Sequence, residues 1–220
     1  MATTISSGTN PYKLGSPPDF GTLYSGRALE FDGVTDYVSF SDTSLPDGSE
    51  SFTISLWFKQ DTANLELFGY GTGSENEFNG LRVSSNTFKH FFYSNDLEGD
   101  TTLTTGVWYH GVVTFDGTTR TLYLNGASDG SDTPSTVTVT KTGTAKIGQA
   151  ISVYFDGNIT NVQVWDKTWS LSDVQYAYTH PEKLITHNSA VTSGTTISNL
   201  KAWYPCTEGN PRSPQTTVYD

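Results

Sequence analysis

Phe-Asp-Gly occurs three times in this chain, at Phe31-Asp32-Gly33, Phe115-Asp116-Gly117 and Phe155-Asp156-Gly157, each time inside a run of alternating apolar residues. Asp-Gly between period-two runs signals a hairpin turn, because both residues tolerate positive φ. Three such signals commit the chain to antiparallel strands. Composition points the same way: 21 Gly, abundant Ser and Thr, and only 16% charged residues favour strands and tight turns over helices. A length of 220 residues suits one all-β domain. Hydrophobic residues make up only 35%, yet 12 Phe, 12 Tyr and 5 Trp bury large areas each, so a core can form.

Within residues 52–58, Phe52, Ile54, Leu56 and Phe58 share one face and are expected in the core. Residues 28–40 read as a hairpin, and further strands are expected over 65–70, 81–83, 88–93, 137–139, 145–148 and 159–165. Residues 108–114 and 121–125 form another hairpin around Asp116-Gly117. One short helix is expected. Ser172 is its N-cap, Gln175 completes a capping box, Leu171 and Tyr176 supply the hydrophobic staple, and Pro181 ends it. Residues 1–25, with Pro11, Pro17 and Pro18, read as an extended arm, either a disordered tail or a segment that docks on a neighbouring subunit.

Five segments stand in a fixed order: Ala28-Leu29-Glu30-Phe31-Asp32-Gly33, Ser51-Phe52-Thr53-Ile54-Ser55-Leu56-Trp57, Trp108-Tyr109-His110, Leu122-Tyr123-Leu124-Asn125-Gly126 and Phe155-Asp156-Gly157-Asn158-Ile159. That set resembles the laminin-G-like family of the concanavalin A-like lectin fold, over about residues 26–180. The resemblance implies an all-β fold, a two-sheet antiparallel jelly-roll sandwich with one short helix, and binding rather than catalysis. It divides the chain into an arm (1–25), a sandwich (26–185) and a tail (186–220). The tail's Leu200-Lys201-Ala202-Trp203-Tyr204-Pro205 resembles the segment that opens many such modules, yet here it comes last. It is expected to supply a strand that completes this sandwich or a neighbour's, since an uncovered edge with Trp203 and Tyr204 invites aggregation.

Some domains of this fold bind calcium, which requires six to eight oxygen ligands. Asp32, Asp36 and Asp156 are the candidate ligands for a structural calcium. The family often continues its last motif with Asp-Glu, however, where this chain has Thr160 and Asn161, and an Asp in a turn also bonds its own backbone. Asp96, Glu98 and Asp100 form a second acidic group, weighed against a solvated turn. Glycan recognition uses aromatic faces flanked by amides, and two clusters offer them. Tyr70, Asn76, Phe78 and Asn79 form one; Asn86, Phe88, Phe92 and Asn95, with Phe91 and Tyr93, form the other. Alternation also assigns most of these aromatics, and Trp57, Trp108 and Trp165, to the core.

Catalysis is not expected. Glycosidases of this fold place two carboxylates on one strand, whereas Glu75 and Glu77 lie in a Gly/Ser/Asn loop. His90, His110, His180 and His187 lack metal-ligand spacing, and Cys206 is the single cysteine. A net charge of −11, from 23 acidic and 12 basic residues, argues against nucleic acid, and no apolar run is long enough to insert in a membrane. The first ten residues resemble no export signal, which suggests synthesis in a host cytoplasm. The leading expectation is a non-catalytic virion-surface protein, in capsid decoration or a tail fibre, of the kind found in marine tailed bacteriophages. Its partners would be other virion subunits or itself, and host glycans. The alternative is an extracellular carbohydrate-binding or adhesion module of a cellular protein, and the third a divergent glycan hydrolase.

Overall fold

The computed structural model describes residues 28–63 and 65–206. The strands are β1 (Leu29–Asp32), β2 (Val38–Phe40), β3 (Phe52–Gln60), β4 (Leu65–Gly71), β5 (Phe78–Ser84), β6 (Thr87–Phe91) and β7 (Asp96–Thr102). They continue with β8 (Trp108–Phe115), β9 (Arg120–Leu124), β10 (Ala127–Asp132), β11 (Ala145–Ile147), β12 (Asp156–Trp165) and β13 (Leu200–Tyr204), with one α-helix among the described residues, α1 (Leu171–Thr179), before β13. Two antiparallel sheets form a sandwich of the concanavalin A-like jelly-roll type. The first runs β1-β12-β3-β8-β9-β10, with β13 also on β12; the second runs β2-β11-β4-β5-β6-β7.

The sandwich extends past residue 185. β13 pairs with β12 at Val162 to Trp165, while β1 pairs with it at Asp156 to Ile159, so two strands share one edge of β12. Residues 1–25 and 207–220 lie outside the described residues, and so does the expected arm.

The three Phe-Asp-Gly segments do three different jobs. Asp116 bonds the N–H groups of Thr118 and Thr119 and closes the β8–β9 hairpin as expected. The first segment makes a turn, with Gly33 at φ +72, but not a hairpin. β1 pairs with β12 and β2 with β11, so this turn carries the chain from one sheet to the other. The third segment is no turn at all. Gly157 lies inside the ladder at φ +133, where a Cβ would fall 2.1 Å from the Lys59 carbonyl oxygen. Glycine is needed there for a close backbone approach.

Phe52, Ile54, Leu56 and Phe58 face the core as expected, where Leu67, Phe68, Phe88 and Leu81 meet them from the second sheet. The intervening Thr53, Ser55 and Trp57 are equally buried. Their face, with Trp165 of β12 beside it, is covered by a third layer comprising Trp169, Val174, Ala177, Leu184 and Ile185. Thr53 ties that layer down, its hydroxyl donating to the Lys167 carbonyl (2.7 Å) and accepting the Trp169 N–H (3.0 Å).

A buried polar chain crosses the core. Arg120, fully buried on β9, forks onto Asp132 (2.9 and 2.5 Å), donates to the Asn95 carbonyl (3.0 Å) and lies over the Phe92 ring. Its Nη1 also donates to His90 Nδ1 (3.1 Å). The proton of His90 must then sit on Nε2, which donates to Asn79 Oδ1 (2.9 Å). Asn79 Nδ2 donates to the Tyr70 hydroxyl (3.1 Å), which donates to the Pro46 carbonyl (2.9 Å). Each group has one direction open to it, so the chain fixes how the two sheets face each other.

Burial and the adjacent guanidinium hold His90 well below the usual histidine range, and burial holds His110 at about 3. Both are neutral when folded but take a proton near 6.5 when unfolded. Their contribution is therefore complete above pH 6.5 and is lost as pH falls toward the folded values. Each should lower stability by about 1.4 kcal/mol per pH unit in that window. Urea unfolding measured between neutral pH and mildly acid pH, above the carboxylate range, should show this slope, and His110→Gln should remove about half of it. A flat profile would contradict the assignment.

Candidate functional site

The helix α1 starts two residues earlier than the sequence pattern suggests. Ser170 is the N-cap: its hydroxyl accepts the Asp173 N–H (3.2 Å), and Asp173 Oδ2 accepts the Ser170 N–H (3.0 Å). Asp173 is fully buried and also receives the N–H groups of Thr192 and Ser193 (3.4 and 3.3 Å). A carboxylate that closes the cap and holds a second loop outcompetes Gln175, which is exposed. Gln175 is therefore released from capping, and Ser172 only borders the cap, its hydroxyl bonding those of Ser170 (2.9 Å) and Thr192 (2.6 Å).

They occupy a face of their own. Ser172, Gln175, Tyr176 and Thr179 recur at i, i+3, i+4 and i+7, one side of a helix. Opposite them lies the β9–β10 turn at Asn125 and Gly126, whose φ values are +51 and +80. Asn125 is fixed by exchanging bonds with His110: its N–H donates to the His110 carbonyl (2.8 Å), and its Oδ1 accepts the His110 N–H (2.9 Å). Gly126 gives Tyr178 room, since a Cβ there would sit 3.0 Å from the ring. Between turn and helix runs an open groove of about 520 Å³, with Asn188 also in its lining.

Its floor is stiff. Tyr178 stacks on Trp57 (5.7 Å) and His110 (6.1 Å), which stack on each other (5.2 Å), and His110 Nε2 bonds the Ser55 hydroxyl (2.9 Å). Burial raises the pKa of Tyr178, so its hydroxyl stays protonated. Tyr176 is backed by His180 at 4.1 Å, nearly parallel. The lining carries amides, hydroxyls and aromatic rings, with no charged side chain among them. Such a surface can donate and accept hydrogen bonds and stack.

None of the sequence-proposed sugar residues lies here. Phe88 and Phe92 are fully buried between the sheets, Tyr70 is in the core and Phe78 is packed on Phe91, so no ring of these four presents a face to a sugar. Asn79 is buried in the polar chain. Asn76 and Asn95 bond each other (2.8 Å) in a loop pair, and Asn86 is exposed in the β5–β6 turn at φ +59. The missed residues share a legible signal, an uncharged helix face at 172, 175, 176 and 179.

The proposed calcium ligands do share one end of the sandwich, with Asp32 and Asp156 aligned across β1 and β12. Asp32 is already engaged. Its Oδ1 accepts the N–H groups of Val34, Thr35 and Asp36 (2.9, 2.8 and 3.1 Å), and these bonds hold its carboxyl well below the usual range. Asp36 Oδ2 accepts the Asp32 N–H (3.2 Å), and the Asp156 side chain faces Gly33. A cation would compete with those turn bonds. Among the described residues no three of His, Cys, Asp and Glu form a group that could hold a metal ion. Of the second acidic group, Asp96 pairs with Arg82 and Glu98 with Lys89.

Residues 32–175 match a laminin-G family model described as the concanavalin A-like lectin/glucanases superfamily. Among solved structures, the chain is similar to the native heptameric SAP-like pentraxin of Limulus polyphemus, with 18% identity, a TM-score of 0.56, and 70% of this chain and 82% of that one covered. It is similar to a proposed carbohydrate binding protein of Bacteroides ovatus, with 15% identity, a TM-score of 0.62, and 88% and 54% covered. A third is the IT-sialidase CBM40 of Ruminococcus gnavus bound to α2,3-sialyllactose, with 13% identity, a TM-score of 0.52, and 69% and 97% covered. At these identities the likeness is one of fold. No curated protein sequence matches the chain.

Removing the Asp173 carboxylate as Asp173→Ala should cost about 1–2 kcal/mol from the lost cap, and more because two further N–H groups lose their acceptor. Thermal unfolding measures the loss. Gln175→Ala, at an exposed position outside the cap, should leave stability within about 0.5 kcal/mol.

Proposed function

Because the chain belongs to the concanavalin A-like lectin/glucanases superfamily, we propose that it is a non-catalytic carbohydrate-binding module whose groove beside α1 takes a short, uncharged glycan. The observation that carries this reading is the groove's lining: Asn125, Ser172, Gln175, Thr179 and Asn188 surround Tyr176 without a single ionisable carboxylate or cation. Sugar hydroxyls donate and accept, so a mixed amide and hydroxyl surface suits them, and an aromatic ring takes the apolar face of a pyranose. An anionic ligand would find no cation to pair with. Glycoside hydrolysis needs a carboxylate pair astride the scissile bond, and the lining supplies none.

Relatives of the same fold whose names record a carbohydrate or a bound sialyllactose support carbohydrate binding as such; sialyllactose carries a carboxylate, so the uncharged character of the ligand rests on the lining of this groove alone. Placement of the module on a virion surface, among other copies or other virion subunits, belongs to the same proposal and rests on the motif set. Mass spectrometry of purified particles checks that part. Calcium at Asp32, Asp36 and Asp156 would have to displace the turn bonds of Asp32, so the reading does not depend on it and calcium enters the experiment only as an added variable.

The test is a glycan array followed by calorimetric titration, with calcium and with chelator. Tyr176→Ala and Gln175→Ala should each weaken binding about tenfold, about 1.4 kcal/mol, with unfolding temperature nearly unchanged for the exposed Gln175. Binding that both variants leave intact would move the site away from the groove; no binding to any glycan would sink the reading.

A further inference from the structure

Of the eight exposed large apolar side chains among the described residues, four come from two adjoining segments that contribute nothing to the groove: Val34 (66% exposed), Tyr37 (46%), Ile151 (38%) and Val153 (42%). The segments touch. Tyr37 meets Tyr154 with ring centroids 6.3 Å apart, and Gly33 donates its N–H to the Phe155 carbonyl (2.9 Å). Exposed apolar side chains gathered in this way mark an interaction surface more often than scattered ones do.

Both segments are held rigid by carboxylates that bond backbone rather than cations. A single oxygen of the buried Glu66, Oε2, accepts four successive N–H groups, from Ala150 (2.9 Å), Ile151 (2.7 Å), Ser152 (3.1 Å) and Val153 (3.1 Å). Asp32 does the same for residues 34 to 36 on the other side. A loop whose backbone is bonded inward has its side chains turned outward, already ordered before any partner arrives. Pre-ordering lowers the entropic cost of binding.

The rim decides what kind of partner fits. Asp32 and Asp36 lie in the first segment, Asp156 follows the second, and Asp61 donates its N–H to the Asp156 carbonyl (3.0 Å), so four carboxylates border the apolar residues. Lys146, a cation at the patch among the described residues, is already engaged: it lies over the Tyr37 ring at 4.9 Å and donates to Gln149 Oε1 (2.6 Å). We infer that this end of the sandwich is a docking surface for a partner protein segment with apolar side chains flanked by Lys or Arg. A second copy of the chain is a poor occupant. Two-fold pairing would set the acidic rim against itself, in a chain whose net charge is −11.

The experiment selects a random linear peptide library against the intact protein and measures the enriched peptides by titration. Enriched peptides should combine basic with aliphatic or aromatic residues, should bind more weakly as salt rises, and should lose about tenfold in affinity to the Ile151→Ser/Val153→Ser double variant. That variant should keep its unfolding temperature and its glycan binding, because the loop is held through backbone bonds to Glu66. Three results would overturn the inference. They are enrichment of acidic or purely polar peptides, binding that is indifferent to the double variant, and a dimer in light scattering that this variant dissolves, which would make a second copy the occupant.

Discussion

Much of this molecule follows from β3 being buried on both faces. A strand that alternates Phe52, Ile54, Leu56 and Phe58 with Thr53, Ser55 and Trp57, and buries every one, cannot face water on either side. The second sheet covers one face. The other needs cover too, and the end of β12 and the chain after it supply it as Trp165, Trp169, the helix α1 and the segment through Ile185. The groove exists because that cover is a narrow helix laid beside a protruding turn, rather than a full layer. Packing demands of the sheet and the location of the candidate site thus have one cause.

The polar chain from Asp132 to Pro46 answers a different need. Apolar side chains of similar size could fill the centre of the sandwich in several registers. A buried guanidinium that must meet Asp132, Asn95 and His90 together fits only one. Pairs of this kind gain little net stability, since desolvation offsets most of the attraction, but leaving one partner unmatched is costly. Here they select the register in which the sheets meet.

Sequence pattern carried the fold class, the core face of β3, the β8–β9 hairpin and the presence of one helix, because each rests on local periodicity or turn chemistry. It failed where a distant group decided the outcome. Asp32-Gly33 reads as a hairpin turn, yet Asp156 and β12 draw β1 into one sheet while β11 draws β2 into the other. Ser172 and Gln175 read as a capping box, yet Asp173 wins the cap because it also serves residues 192 and 193. That misplacement hid the candidate site, since the two residues read as caps belong to its lining. The aromatic clusters had two readings, core and platform, and burial places Phe88, Phe92 and Tyr70 in the core.

The four amides gathered on Glu66 separate the path of the 150–153 loop from the identity of its side chains. Because the backbone is gripped by main-chain groups that every residue except proline possesses, the side chains of Ile151, Ser152 and Val153 are free to change by substitution while the loop keeps its course. Insertions are another matter, since one extra residue would push an amide out of the cradle. Such a loop can change what it presents through substitution alone, at a constant length, and a lineage of related chains can acquire new contacts there without refolding the scaffold beneath.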